Sequence, residues 1–205
     1  MIIKRIDCDT SKAHIARVIL EALPEWFGIP EATEEYIADS KGRPFFCAYD
    51  GDTPIGFLYL KETGRHTVEL AVMGVQQDYH RQGIGRELFE QAINEAKRLG
   101  YSFVQVKTVQ MGRYDIYDDT NRFYLSLGFK ELEVFPTLWD ECNPCQIYIM
   151  DMKQSFTDTL SKCVEITPEL YRNRPWLMKL GQSLLRVAGH GNLACFQHIR
   201  AVRDG

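Results

Sequence analysis

Over Ile2–Ile6 apolar and charged residues alternate, the period of a half-buried strand. The spacing then changes to threes and fours. Ile15, Val18, Ile19 and Ala22 recur on one helical face, which predicts a helix with Ser11 as its N-cap. Pro24 and Gly28-Ile29-Pro30 break the pattern around Trp26 and Phe27, and a second short helix is expected over 31–40. Next come two strands, 45–49 and 55–61, joined by a turn at Asp50-Gly51-Asp52, and after Gly64 a third strand, Thr67–Val75. The clearest helix covers 86–99, where Leu88, Phe89, Ala92, Ile93, Ala96 and Leu99 form one stripe and Gly100 stands at the C-terminal cap. Phe103–Val109 reads as a buried strand, 121–127 as a helix ending at Gly128, and 131–135 and 146–152 as the last strands. Strand, helix and strand over 67–109 imply a parallel pair inside a mixed sheet.

After Met152 the texture becomes richer in Thr, Ser, Lys and Gln, interrupted at Thr167-Pro168, Arg174-Pro175 and Gly189-His190-Gly191. Pro175 can open a helix over 176–187. The expected organisation is a domain over 1–152 and a helical extension over 153–205, with no internal repeat.

Composition narrows the function. The chain has 205 residues, 45% of them apolar, enough for a substantial core. With 24 Lys and Arg against 28 Asp and Glu, the net charge is -4, and there is no basic run, so nucleic acid is not an expected partner. No apolar segment has the length of a signal peptide or membrane span; a cytoplasmic protein without a membrane partner is expected. The six cysteines are read as reduced thiols. Cys142 and Cys145 have C-x-x-C spacing, but nothing completes a four-ligand set and Pro144 marks a turn, so no metal is expected.

The chemistry concentrates between Val72 and Arg86, where a strand end runs through a polar turn into the stripe helix. Such a junction aims free backbone N–H groups and the positive end of a helix at one spot, which suits an anion. Gly83 and Gly85 lack the Cβ atoms that would block close approach, and Arg81 and Arg86 add charge. A pyrophosphate on a nucleotide-like cofactor fits this pattern; tight strand–helix packing explains the same glycines.

His80-Arg81-Gln82-Gly83-Ile84-Gly85 resembles the acetyl-CoA motif of GNAT N-acetyltransferases, Arg/Gln-x-x-Gly-x-Gly/Ala. Asn121-Arg122-Phe123-Tyr124-Leu125-Ser126-Leu127-Gly128-Phe129 resembles a second signature of that superfamily. The resemblance covers about 1–152. His80 stands where Arg or Gln is usual, and Gln77 where many relatives have Pro; neither change removes a backbone donor, and His80 can still donate to a phosphate. The resemblance implies an α/β GNAT fold, a mixed central sheet of six to seven strands with flanking helices, to which the 153–205 extension is added. It implies acetyl-CoA as co-substrate, contacted by Met73, Gly74, Val75, His80, Arg81, Gln82, Gly83, Ile84, Gly85, Arg86 and Asn121. It also implies that the strand carrying Met73 and Val75 splays from its neighbour, freeing backbone groups for the thioester.

By the same resemblance Tyr124 is the general acid that protonates the departing thiolate; packed under Phe129, it would be a core tyrosine instead. Glu69 is the candidate base. With Val68 and Leu70 on the opposite face, it is expected to be a carboxylate amid apolar neighbours with a raised pKa, acting through water; strand alternation equally allows a solvent-facing residue. Glu25, Trp26, Phe27, Tyr36 and Trp139 are the candidate acceptor pocket, where aromatics and a carboxylate hold a cationic amine, or else a hydrophobic plug. Asp115, Asp118 and Asp119 form an acidic run ahead of the Tyr124 helix, able to attract a basic acceptor but accounted for more simply by N-terminal capping. The partner is a small-molecule or peptide amine. A protein acetyltransferase and a non-catalytic acetyl-CoA-binding module are the alternatives, and the apolar spacing of Leu177, Leu180, Leu184, Leu185 and Val187 suits the extension equally to packing on its own domain or across a homodimer.

Overall fold

The computed structural model describes residues 1–152; the expected 153–205 extension, its helix and any dimer contact through it lie outside the described residues. The elements in order are β1 (Ile2–Ile6), α1 (Asp9–Glu21), α2 (Pro30–Asp39), β2 (Phe45–Asp50), β3 (Thr53–Gly64), β4 (Thr67–Val75), a single 3-10 turn (Gln77–Tyr79), α3 (Ile84–Arg98), β5 (Phe103–Val109), α4 (Asp115–Leu127), β6 (Lys130–Asp140) and β7 (Asn143–Asp151). The strands form one seven-stranded sheet in the order β1-β2-β3-β4-β5-β7-β6. All neighbours run antiparallel except β4 and β5, which are parallel because α3 carries the chain back between them.

Alternating side chains on the strands feed two cores. One holds Leu58, Leu60, Val68 and Leu70 against the α3 stripe of Leu88, Phe89, Ala92, Ile93 and Ala96, and it extends to Tyr124, Phe129 and Tyr148. The other lies on the opposite face, where Ile15, Ala16, Ile19 and Leu20 of α1 and Ile37 of α2 cover Phe45, Phe57, Tyr59 and Val72. Phe45 and Phe57 stack at 5.1 Å in that second core.

Several boundaries differ from the sequence expectations. Helix α1 begins at Asp9 with Cys8 as N-cap, so Ser11 lies inside it. The reason is Asp9, whose carboxylate faces the positive end of the helix and accepts hydrogen bonds from the Gly42 N–H at 2.8 Å and from Lys12 at 3.0 Å. Helix α3 starts at Ile84, immediately after Gly83 in the left-handed region at φ 85°. Helix α4 starts at Asp115, so the acidic run lies within its first turns rather than ahead of it. Asp118 there accepts the Gly112 N–H at 2.7 Å. Strand β6 continues through Pro136 to Asp140; as the edge strand it has one side on which a missing N–H costs no ladder bond. The Cys142–Cys145 stretch belongs to the β6–β7 hairpin, held by Asp140 Oδ1, which accepts the N–H groups of Cys142 (2.8 Å) and Asn143 (2.9 Å).

Candidate functional site

The sheet opens along one seam. Parallel pairing of β4 with β5 covers only Thr67, Val68 and Glu69 opposite Phe103, Val104 and Gln105. Beyond that point β4 keeps to β3 as far as Val75, and β5 keeps to β7 as far as Val109, so the strands diverge as the expected splay requires. A register shift in β4 against Tyr59 and Leu60 falls between Leu70 and Val72 and re-aims the strand within the opening. The Gln76 N–H donates to Ile55 on the β3 side at 2.9 Å. Alternate residues of a strand present their backbone groups to opposite edges, so Gly74 shares that side while Met73 and Val75 turn theirs to the opening.

At the mouth of the opening the chain turns into α3. Arg81 takes a left-handed conformation at φ 61°, followed by Gly83 at φ 85°. Among the described residues the backbone N–H groups from Arg81 to Arg86 have no acceptor; the first bond of the helix is Glu87 N–H to Gly83 O at 3.1 Å. A run of unspent donors at the positive end of a fifteen-residue helix has the chemistry that suits an anion. Gly85 is needed for packing as well as for approach: a Cβ there would lie 3.0 Å from both Met73 Cε and Phe123 Cζ. This position joins β4, α3 and α4.

The side chains of the loop are directed elsewhere than the sequence suggests. His80 does not face the free N–H groups. Its Nε2 lies 2.6 Å from the Val75 carbonyl oxygen, and its ring packs edge-on against Trp26 at 5.8 Å. Arg81 pairs with Asp119 of α4 at 3.0 Å, Gln82 donates to the Asp78 carbonyl, and Arg86 donates to the Ser126 carbonyl at 3.3 Å. The donors left free at this turn are therefore main-chain ones, with the charged side chains bracing α4 against the loop.

Tyr124 is buried, with its ring edge-on to Phe129 at 5.9 Å and tilted to Phe123 at 5.5 Å. Burial alone pushes its pKa above the ordinary phenol value. Its hydroxyl has no hydrogen-bond partner among the described residues, yet no buried side-chain polar atom is left unsatisfied, so the oxygen reaches solvent at the surface of the core. Asn121 behaves differently. It is fully buried, with Nδ2 donating to the carbonyls of Val109 (3.0 Å) and Tyr117 (2.6 Å) and Oδ1 accepting from Tyr148 at 2.7 Å. Those bonds leave no side-chain donor for a cofactor, and Asn121 instead ties α4 to β5 and β7.

Glu69 sits where the two strands begin to separate and is buried, not solvent-facing. Its surroundings are not purely apolar as expected: Gln105 donates to Oε2 at 3.0 Å and the Lys107 ammonium lies 2.8 Å from the same oxygen. Parallel neighbours share a face, so polar residues at alternate positions of β5 reach across to it. Oε1 has no protein partner among the described residues.

The α1–α2 loop closes one side of the mouth. Glu25 accepts from Gln77 at 3.4 Å, Trp26 meets His80, and Phe27 packs edge-on against Tyr36 at 6.0 Å. The Tyr36 pKa is raised, first by burial and then by Glu35 and Glu69. Tyr117 of α4 bonds across to the Trp26 carbonyl at 3.1 Å. Four of the five acceptor-pocket candidates thus gather around the opening. Trp139 does not join them; it is 46% exposed on edge strand β6. Sequence reading missed Lys107, Gln105 and Tyr117. The signal for the first two was present, as two polar residues at period two in an otherwise apolar strand.

Among the described residues no cluster of three His, Cys, Asp or Glu side chains is placed to hold a metal ion, and no helix is long and apolar enough to cross a membrane.

Comparison with known proteins converges on one family. The uncharacterized N-acetyltransferase YsnE of Bacillus subtilis (strain 168) is 26% identical over 99 residues, 48% of this chain and 64% of YsnE. The chain thus spans less than two thirds of that relative. A GNAT-family protein from Desulfovibrio desulfuricans superposes with a TM-score of 0.63 at 19% identity over 74% of this chain and 99% of its own. The Salmonella typhimurium protein yncA, solved with acetyl-CoA, gives a TM-score of 0.59 at 19% identity over 75% and 95%. At such identities these structures speak for the fold. The sequence model of the acetyltransferase (GNAT) family matches residues 14–129, which takes in α3, the open seam and both motifs, and the chain belongs to that family.

Proposed function

We propose that the protein transfers the acetyl group of acetyl-CoA to a primary amine by direct attack, in the opening between β4 and β5. The observation that carries this reading is the unspent N–H run from Arg81 to Arg86 at the mouth of that opening. A pyrophosphate meets those donors without needing a side-chain cation, so the His80 and Gln77 departures do not count against acetyl-CoA. The Met73 backbone groups and the Val75 N–H, turned to the opening, offer hydrogen bonds to the pantetheine arm and the thioester carbonyl. The yncA structure holds acetyl-CoA on the same fold.

The reaction needs an amine free of its extra proton, a polarised thioester carbonyl and a protonated leaving sulfur. In our reading one proton of the substrate ammonium leaves through water to Glu69. Met73 is four residue steps along the strand from Glu69, roughly 13 Å at the usual rise, so the base works through solvent rather than by contact. The neutral nitrogen then forms its bond to the carbonyl carbon, and the C–S bond breaks as the tetrahedral species collapses. Tyr124 gives its proton to the sulfur and is restored by the second proton leaving nitrogen. The products are the N-acetylated amine, CoA thiol and one released proton. Burial suits this role in one respect: it keeps the phenol protonated at neutral pH, with a hydroxyl hydrogen committed to no protein group.

Calorimetric titration with acetyl-CoA, paired with a thiol-release assay over amines and Lys-containing peptides, tests the reading. Binding together with release on an acceptor is expected. Binding with no release on any amine would leave a non-catalytic acetyl-CoA-binding module.

A further inference from the structure

The Glu69–Lys107 pair lies where the acceptor amine must enter, and it presents both signs of charge side by side. Lys107 Nζ is 2.8 Å from Glu69 Oε2, while Oε1 of the same carboxylate accepts nothing from the protein among the described residues. Glu69 is the last residue of β4 paired with β5, opposite Gln105. Lys107 is two residues further along β5, on the arm that has parted from β4, and its side chain retains 29% exposure. An ammonium has three donors, and one goes to Glu69.

This arrangement does not suit a simple amine. An incoming ammonium attracted to Glu69 would meet the Lys107 ammonium at the same place, and like charges brought together in a partly desolvated cleft repel. A substrate carrying its own carboxylate removes the conflict, because the carboxylate takes the free donors of Lys107 while the ammonium points along the opening toward the thioester, with water linking it to Oε1. Resting on the acetyl-transfer reading above, we propose that the acceptor is an aminocarboxylate, an amino acid or close analogue, with Lys107 binding its carboxylate beside Glu69. Trp26, Phe27 and Tyr36 at the same mouth favour an aromatic or large apolar side chain on that acceptor.

Matched pairs test this. Initial rates with acetyl-CoA are measured for phenylalanine against phenethylamine and leucine against isoamylamine, with each amino acid's amide as a neutral control. The amino acid is expected to exceed its decarboxylated partner in kcat/KM by about tenfold or more, the scale of one charge-assisted hydrogen bond. In Lys107→Met that ratio should collapse toward one, mainly through KM for the amino acid, and Lys107→Arg should retain it. Amines that equal or outperform their amino acids in the wild-type protein overturn the proposal whether or not the variants fold. So does an unchanged ratio in a folded Lys107→Met protein. Such results leave acetyl transfer standing, whereas no thiol release with any acceptor removes both readings.

Discussion

The two ends of β4 differ in one respect. From Thr67 to Glu69 the strand has neighbours on both edges, β3 and β5; from Met73 to Val75 it has β3 alone. The doubly paired end satisfies its backbone inside the sheet, so only its side chains, Glu69 among them, are left to face a ligand. The singly paired end keeps the Met73 groups and the Val75 N–H unspent on its open edge, the Val75 carbonyl being taken by His80; free backbone groups are the same resource found at the start of α3. A binding surface arises here by withholding partners from the backbone, more than by adding side chains. The polar side chains near it, Arg81, Arg86 and His80, are all engaged by the protein itself.

Removing the Tyr124 hydroxyl should produce the largest effect at the open end. Tyr124→Phe is expected to lower kcat by about a hundredfold or more, with acetyl-CoA affinity within about threefold and stability within about 0.5 kcal/mol, since the hydroxyl has no protein partner to lose. Stopped thiol release, calorimetry and denaturant melts check the three parts; an unchanged kcat on a verified acceptor makes Tyr124 a core residue only. Filling the seam comes next. Gly85→Val places a methyl group against Met73 and Phe123, where a Cβ already comes within 3.0 Å, and overpacking of about 2 kcal/mol should weaken acetyl-CoA binding roughly thirtyfold. Loss of binding without loss of fold is the expected pattern.

The closed part of the sheet should respond in the opposite way. Glu95 of α3 is buried between Arg98, at 2.7 Å, and Arg5 of β1. Its pKa is lowered to about 2, first by the Arg98 hydrogen bond and then, against the opposing effect of burial, by Arg5. A carboxyl whose folded value is depressed stabilises the protein above its ordinary value of about 4.5 and ceases to do so as pH falls toward about 2. Glu95→Gln should therefore cost about 1–2 kcal/mol at pH 7, and the gap from wild type should shrink by pH 3. Denaturant midpoints at the two pH values measure it. Acetyl-CoA affinity at pH 7 should not change, because this pair braces β1 and α3 away from the seam.

Much of this was readable from the chain. The stripe of α3, the parallel pair β4 and β5 on either side of it, and the hairpin at Asp50-Gly51-Asp52 are local patterns whose period or turn chemistry admits few structures. The free N–H groups of the Gly83-Ile84-Gly85 junction were legible for the same reason, since they follow from any strand-to-helix turn. Boundaries were less legible: Asp9 displaced Ser11 as the start of α1 through a bond to Gly42, thirty-three residues away in sequence. The extension of α4 back to Asp115 likewise rests on a contact, Asp118 with Gly112.

The sequence by itself determined which backbone would carry the donors, because helix termini and glycine conformations are properties of a few consecutive residues. Only the tertiary structure decided what the side chains around them do. It turned His80 onto Val75, committed Asn121 to the interior, and set Lys107 and Gln105 on one oxygen of Glu69. Those choices depend on which strand lies beside which and on where two strands part, and no local pattern encodes a distance between residues thirty-eight positions apart.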